Sequence, residues 1–529
     1  RGFGSPHDHF RDPNPRLGNS GGDVGALLAS PGLVAETELG SMAARAMVDA
    51  APPAPRRVRW RKTVLGDPAW FFVVVSLLFG TAMAIATPIG NTPDEAAHVA
   101  RAYEVAHLHL IAPKEGDSVG VKMPATLIDP SPQSADGKDL RGNVAALLTL
   151  RDAARSFVKP PLTKDELAFR PTFPTATYSP VAYIPQAVAI AIGEAVSMPP
   201  GSIYLLVRLF TLAARTALGF VAIRWWRQKP WALAAIMLLP MMVSQSIAPG
   251  ADAMTFSLGA LVVAATLRLR LEPTKTALRI WGVVGLTALG VAAALTKPAV
   301  MTLFPAVFAL IPAGSIRVRF PRLTRATMIA IPVLMSLVWL AVTEVYLGQD
   351  GVSDAHDGRG QLQHLFAHPV TFVTVFVRTW FGGYTNDAIR GVAGLFGYLE
   401  VGFPLWLDVV VFIAMAAYLW CYRRRAPELS RGPQIFLAVG VVAFIYATFM
   451  ALYIGWTPPG QAFIEGVQGR YLLPALFLAL PIAPNIAKIT RRAEVVLVKV
   501  VPVALLAVSL LYIVTRFYDT YLAEFASIN

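Results

Sequence analysis

Charge is scarce in this sequence. Only 15% of the 529 residues are charged, 55% are hydrophobic, and mean hydropathy is +0.53. A soluble domain carries about a quarter charged residues, so an ordinary water-soluble globular protein is excluded. Cysteine is nearly absent: Cys421 alone permits no intrachain disulfide and no zinc site built on several thiolates. There is no Walker loop and no dinucleotide fingerprint, so a nucleotide donor has no conventional soluble domain to bind. The histidines His7, His9, His98, His107 and His109 are not set in an HExxH arrangement. A basic module interleaved with aromatic residues is also missing, which sets nucleic acid aside despite a formal net charge of +13.

What the chain has instead is recurrent apolar runs of about 17 to 22 residues, each long enough to cross a hydrocarbon core of about 30 Å as a helix. Their continuous rather than alternating apolarity selects helices over a barrel. Residues 1–55, rich in Gly, Pro, Ala and Asp, read as a disordered or appended tail, and residues 56–529 as one polytopic domain. Arg56, Arg57, Arg59, Arg61 and Lys62 precede the first span, 68–89, and place the amino terminus inside. Basic clusters then recur at Arg224, Arg227 and Lys229; at Arg268, Arg270, Lys275 and Arg279; at Arg317 to Arg325; at Arg423 to Arg431; and at Lys488, Arg491 and Arg492. They predict further spans at 203–223, 231–248, 254–268, 280–296, 299–313, 326–346, 404–421, 434–453, 471–487 and 495–515. The fold class is thus an all-α integral membrane protein with about eleven transmembrane helices. Two outer loops are long, 90–202 and 347–403, and their apolar stretches 180–197 and 366–381 read as helices lying in the interface.

The densest polar motif follows the first span: Asn91-Thr92-Pro93-Asp94-Glu95-Ala96-Ala97-His98, then Arg101. Pro93 suits a first helical turn and Thr92 a cap, so Asp94, His98 and Arg101 fall on one face. One reading is a capped, solvated helix start with Asp94 and Glu95 favouring the dipole. The other is a carboxylate beside a basic shell, as a general base for a sugar hydroxyl requires. Charges within apolar runs cost at least about 2.5 to 3.5 kcal/mol on insertion scales and need partners. Arg208 and Arg215 share one face of the second span, Asp252 sits in an outer turn, Lys297-Pro298 interrupts an apolar stretch, and Arg470 begins the tenth span. Snorkelling is the plain reading of Lys297 and a structural ion pair that of Arg215. Convergence of Arg208, Lys297 and Arg470 at the outer leaflet would instead suit an anionic lipid head group.

Further motifs complete a pattern: Tyr178-Ser179-Pro180, Tyr183-Ile184-Pro185-Gln186, Arg208-Leu209, Ala251-Asp252-Ala253, Lys297-Pro298, Gly394-Leu395-Phe396-Gly397-Tyr398 and Gln468-Gly469-Arg470-Tyr471-Leu472-Leu473-Pro474. In this order the chain from about 68 to 515 resembles a bacterial family of predicted membrane proteins related to the GT-C superfamily of polyprenyl-phosphate-dependent glycosyltransferases. The resemblance implies a GT-C-like architecture in the bacterial cytoplasmic membrane and a site on the extracytoplasmic face. It also implies inverting transfer of a sugar from a polyprenyl-phosphate donor to a glycan or lipid acceptor. Asp94 matches the superfamily's first-loop catalytic acid. Glu95, His98 and Asp252 would support catalysis or a metal, and Arg470, Lys297 and Arg208 the donor phosphate. Arg101, Tyr178, Tyr398, Gln468 and Tyr471 are further substrate-site candidates. Some superfamily members need a divalent cation and others none, so metal dependence stays open. Phe396 and Tyr398 stand where relatives often have Leu and Trp, and Glu400 where Asp is usual. The competing reading is a lipid-linked glycan transporter without transferase activity, for which internal repeats would be expected.

Overall fold

Asp67 and Pro68 start the first membrane-crossing helix, Pro68–Ala86. Asp67 Oδ1 accepts from the amides of Ala69 at 3.0 Å and Trp70 at 3.4 Å, and Pro68 occupies a position where no amide donor is needed. The computed structural model describes residues 64–528 except 117, 129–156, 159–166, 274–275, 348–357, 398, 400 and 424–426. The tail 1–55 and Tyr398 lie outside the described residues.

Among the described residues six helices are long and apolar enough to span: Pro68–Ala86, Pro200–Trp225, Asp252–Leu271, Pro321–Tyr346, Arg431–Gly455 and Arg491–Phe517. The sequence predicts eleven, and the five others are short or broken. Ile280–Ala294 and Leu405–Trp420 have 15 and 16 residues. At about 1.5 Å per residue they reach about 23 Å, less than a full hydrocarbon core. The remaining three stretches are broken or opened at proline, which removes an amide donor and disfavours helix in the residue before it. The stretch 231–248 becomes Pro230–Met237 and Pro240–Ser244. The stretch 299–313 opens with a tight turn, Pro298–Thr302, ahead of Leu303–Ala309. The stretch 471–487 is reduced to Gly469–Leu472 and Ala475–Ile482.

The break before Pro240 explains Arg215. Fully buried, it donates to the Met237 carbonyl released at the break and to Ser76 Oγ at 2.9 Å, and its guanidinium lies 5.0 Å from the Phe72 ring centroid. These neutral contacts replace the ion pair that the sequence suggested.

The long segment after the first span contains a feature its sequence did not reveal, an antiparallel sheet of Lys114–Glu115, Ser118–Pro124 and Leu167–Pro171, with Val121 opposite Arg170. Val121 and Met123 alternate on one face and join Val99 and Ala102 in a core shared with Tyr183 and Tyr204. Both predicted interfacial stretches are helical, Ile184–Ala195 and Pro369–Phe381. Ile184–Ala195 packs between Glu95–Ala106 and Pro200–Trp225 and keeps Ile184, Val188 and Ile192 exposed on its other side. Where it meets Pro200–Trp225, a Cβ on Gly193 would stand 2.7 Å from Ile203 Cγ1, so the close approach requires glycine.

Side-chain contacts sort the turns into two ends. Arg224 pairs with Asp67, Arg227 and Arg268 share Glu272, Arg423 pairs with Glu494, and Lys499 Nζ donates to the Leu65 carbonyl. One end of the bundle therefore gathers the basic turns. Asp94, Tyr178, Asp252, Lys297 and Arg470 belong to the other.

Candidate functional site

The site begins where the chain leaves the first span. Helix Glu95–Ala106 is not capped by Thr92 as expected: Asp94 holds the cap position, in the left-handed region at φ 54° and ψ 27°, and its side chain makes no capping hydrogen bond. Few residues other than glycine adopt this backbone, and Asp and Asn tolerate it best. Closure of the turn falls to Glu95, whose Oε2 accepts from Gly90 N at 3.0 Å and Thr92 N at 3.1 Å. Asp94 is left exposed while Glu95 is buried.

Glu95 and Arg208 form one buried unit. Arg208 Nε and Nη2 each approach a Glu95 oxygen at 2.7 Å, and the remaining donors reach the carbonyls of Ala84, Thr87 and Pro88 at 2.6 to 2.9 Å. All five guanidinium donors are thereby used within the protein. Arg208 pins the end of the first span to the second, and the expectation that it binds a donor phosphate is corrected; Glu95 likewise is a structural partner. Arg101 is corrected in the same way. Its five donors meet Glu104, Tyr178, His109 and Leu110, with Glu104 Oε2 at 2.5 Å. Asp94, His98 and Arg101 therefore do not share a solvated face.

His98 turns inward. Its Nδ1 is 2.8 Å from the Tyr183 hydroxyl, and a Cβ on Gly250 would stand 3.1 Å from its Nε2, so glycine lets the turn before Asp252 close on the imidazole. Burial, against the opposing charge of Asp94, lowers the His98 pKa from 6.5 to about 4, which leaves the ring neutral at physiological pH. Burial also raises the Tyr178 and Tyr183 hydroxyls and keeps them protonated. The charge of Asp94 is felt at His98, Tyr178 and Arg470, which locates its carboxylate at this cluster.

Two of the three predicted phosphate-binding cations do meet. Asp252, at the start of helix Asp252–Leu271, lies between them, with Oδ1 2.5 Å from Lys297 Nζ and Oδ2 3.3 Å from Arg470 Nε. Tyr471 offers its ring to both, 4.2 Å from Lys297 Nζ and 5.3 Å from the Arg470 guanidinium carbon. Arg470 also donates to Gln245 Oε1 at 3.3 Å. Two cations against one carboxylate leave one positive charge, or none when Asp94 is counted. Gln245 was missed in the sequence; its signal is the polar run Ser244-Gln245-Ser246 inside an otherwise apolar stretch.

Two cavities adjoin this cluster, one at Asp252 and Lys297 and the other at Arg470. One of about 100 Å³ is lined by Tyr178, Asp252, Lys297 and Tyr471 on one side and by the apolar Val300, Phe444 and Leu452 on the other. The second, of about 500 Å³, is lined by Arg390, Leu395, Gln468 and Arg470, and the buried Gln468 Oε1 has no hydrogen-bond partner among the described residues. Arg390 holds Asp408 at 2.9 Å. Among the described residues no group of three or more His, Cys, Asp or Glu is placed to hold a metal ion.

Comparison with known proteins agrees with the membrane architecture. A family model described as a predicted membrane protein, DUF2142, matches residues 77–479, a stretch that contains every part of this cluster. No curated protein matches the chain, and no solved structure does. With the match covering well over half of its length, the chain belongs to the DUF2142 family of predicted membrane proteins.

Proposed function

We propose that this protein is a membrane glycosyltransferase of GT-C type that moves a sugar from a polyprenyl-phosphate donor to a glycan or lipid acceptor. The observation that carries the reading is Asp94, an exposed carboxylate in strained left-handed backbone whose charge reaches the cluster of partly buried Lys297 with buried Asp252 and Arg470 through its effect on His98 and Arg470. Strain of this kind concentrates at functional sites because the surroundings must hold it.

Asp94 accepts the proton of the acceptor hydroxyl while its oxygen attacks the anomeric carbon from the face opposite the phosphate. The bond from that carbon to the phosphate oxygen breaks, and its electron pair passes to the departing polyprenyl phosphate. Lys297 and Arg470 stabilise the charge developing there, which is where a fixed cation lowers a barrier most. Arg208 has no part in this step. The small, partly apolar cavity beside Lys297 suits the start of the isoprenoid chain. The larger cavity beside Gln468 suits a hydroxyl-bearing sugar, since Gln468 Oε1 lacks a donor there. Neutral His98 holds Tyr183 and leaves Asp94 as the base.

The basic turns at the opposite end support an orientation with Asp94 on the extracytoplasmic side of the cytoplasmic membrane of a bacterium. The decisive experiment incubates the purified protein in nanodiscs with a panel of polyprenyl-phosphate sugars and measures both lipid binding and transfer. Transfer with one donor, dependent on Asp94, is the expected result. Binding and translocation of the lipid without transfer across the panel would favour a transporter, and absence of polyprenyl-phosphate binding would exclude both readings.

A further inference from the structure

A second cavity lies at the other end of the bundle. Asp252 opens helix Asp252–Leu271 at the candidate site, and Arg268 follows sixteen residues later on the same helix, about 24 Å away at 1.5 Å per residue. Beside Arg268 is a cleft of about 370 Å³ bounded by Trp225, the last turns of that helix and one face of Ile280–Ala294. Its walls are apolar, with Leu269 and Leu289 among them, and its polar groups gather at Arg268 and Thr276.

We propose that this cleft binds one anionic phospholipid, with the phosphate at Arg268 and an acyl chain along the glycine face of Ile280–Ala294. Arg268 has capacity for an anion. Its buried Nε makes no hydrogen bond among the described residues, and the nearest carboxylate, Glu272, stands 3.9 Å away and is closer to Arg227, at 3.3 Å. One carboxylate thus serves two arginines, and Arg270 and Arg279 add further positive charge at the same turns. A phosphodiester meets this imbalance with charge-assisted hydrogen bonds.

The lower part of the cleft excludes a small soluble anion as the natural occupant. It is hydrocarbon-lined, and Gly285 leaves it open, since a Cβ placed there would meet nothing within 4 Å. Neighbouring Trp281 and Val284, 81% and 48% exposed, continue the surface outward as a membrane-facing side. An acyl chain leaving the cleft therefore stays in apolar surroundings, and a head group at Arg268 stays with the basic turns.

The test uses the full chain, delipidated in detergent and titrated separately with dioleoyl phosphatidylglycerol and dioleoyl phosphatidylcholine, with bound lipid counted by native mass spectrometry. The wild type is expected to take up one phosphatidylglycerol with at least tenfold preference over phosphatidylcholine. Arg268→Gln should abolish the preference, and Gly285→Leu, whose Cβ meets nothing within 4 Å and whose side chain would narrow the cleft, should lower uptake at least tenfold with an unliganded thermal midpoint like that of the wild type. Bound phosphatidylglycerol should raise the thermal midpoint of the wild type and leave that of Gly285→Leu unchanged. Equal uptake of the two lipids, or unchanged phosphatidylglycerol binding in both variants, would overturn the proposal. Displacement of phosphatidylglycerol from the cleft by polyprenyl monophosphate would overturn it too, by assigning the cleft to the carrier lipid.

Discussion

Asp94→Asn separates chemistry from structure more cleanly here than such a change usually does. At φ 54° an ordinary side chain pays about 1 to 2 kcal/mol for left-handed backbone, whereas Asn tolerates it as well as Asp does, so the substitution adds no strain. The Asp94 side chain makes no capping bond and is exposed, so no cap is lost either. Stability should therefore change by no more than about 1 kcal/mol, the cost of its charge at the cluster being screened at an exposed side chain. Binding of the donor should not weaken. Lys297 and Arg470 against Asp252 and Asp94 sum to zero charge, and the Asn variant leaves the cluster one unit more positive, which favours a phosphate. Transfer behaves differently, because Asn cannot take the acceptor proton: general-base catalysis contributes about 100- to 10,000-fold, or about 3 to 5 kcal/mol. The assay compares donor affinity, thermal midpoint and single-turnover transfer in nanodiscs, using a donor that the wild type accepts. An equal midpoint, equal or tighter donor binding and transfer reduced at least about 100-fold is the expected combination. Transfer within about threefold of the wild type would refute the assignment of Asp94 as the base.

Arg470→Ala should weaken donor binding and transfer together by about 2 to 4 kcal/mol, because on the proposed reading it removes a buried donor to the lipid phosphate; calorimetry with polyprenyl phosphate and kinetics measure the two losses. Glu95→Gln should destabilise the fold by about 3 to 5 kcal/mol, since it leaves Arg208 buried without its counter-charge, and a thermal midpoint like that of the wild type would contradict the structural role given to this pair. His98 supplies a pH dependence. Its pKa falls from 6.5 unfolded to about 4 folded, so between these values the unfolded chain binds more protons and stability declines as pH falls. The full loss is on the order of 3 kcal/mol, complete near pH 4, and a pH series of melting curves should show it shrink in His98→Gln.

The amino-acid sequence by itself determined the solvent, the helical class and where most elements lie, because each span must satisfy its backbone internally and apolar length is legible residue by residue. It also picked out Asp94, Asp252, Lys297 and Arg470, since charges inside or beside apolar runs need a reason to be there. Proline positions carried more than was read from them: Pro240 and Pro474 break stretches whose hydropathy alone suggests continuous spans, and Pro298 opens a third with a tight turn. The sheet around Val121 escaped notice because its alternation is short and one partner strand, Leu167–Pro171, lies more than forty residues away. Only the tertiary structure decided which charges are available. In the sequence Arg208, Arg101, Lys297 and Arg470 look alike as cations in or beside apolar runs. The fold gives Arg208 and Arg101 five internal acceptor contacts each, and gathers Lys297 and Arg470 around a single carboxylate beside two cavities. A guanidinium's capacity to bind a ligand depends on how many of its donors remain unused, and that number is set by carbonyls and carboxylates brought from distant parts of the chain.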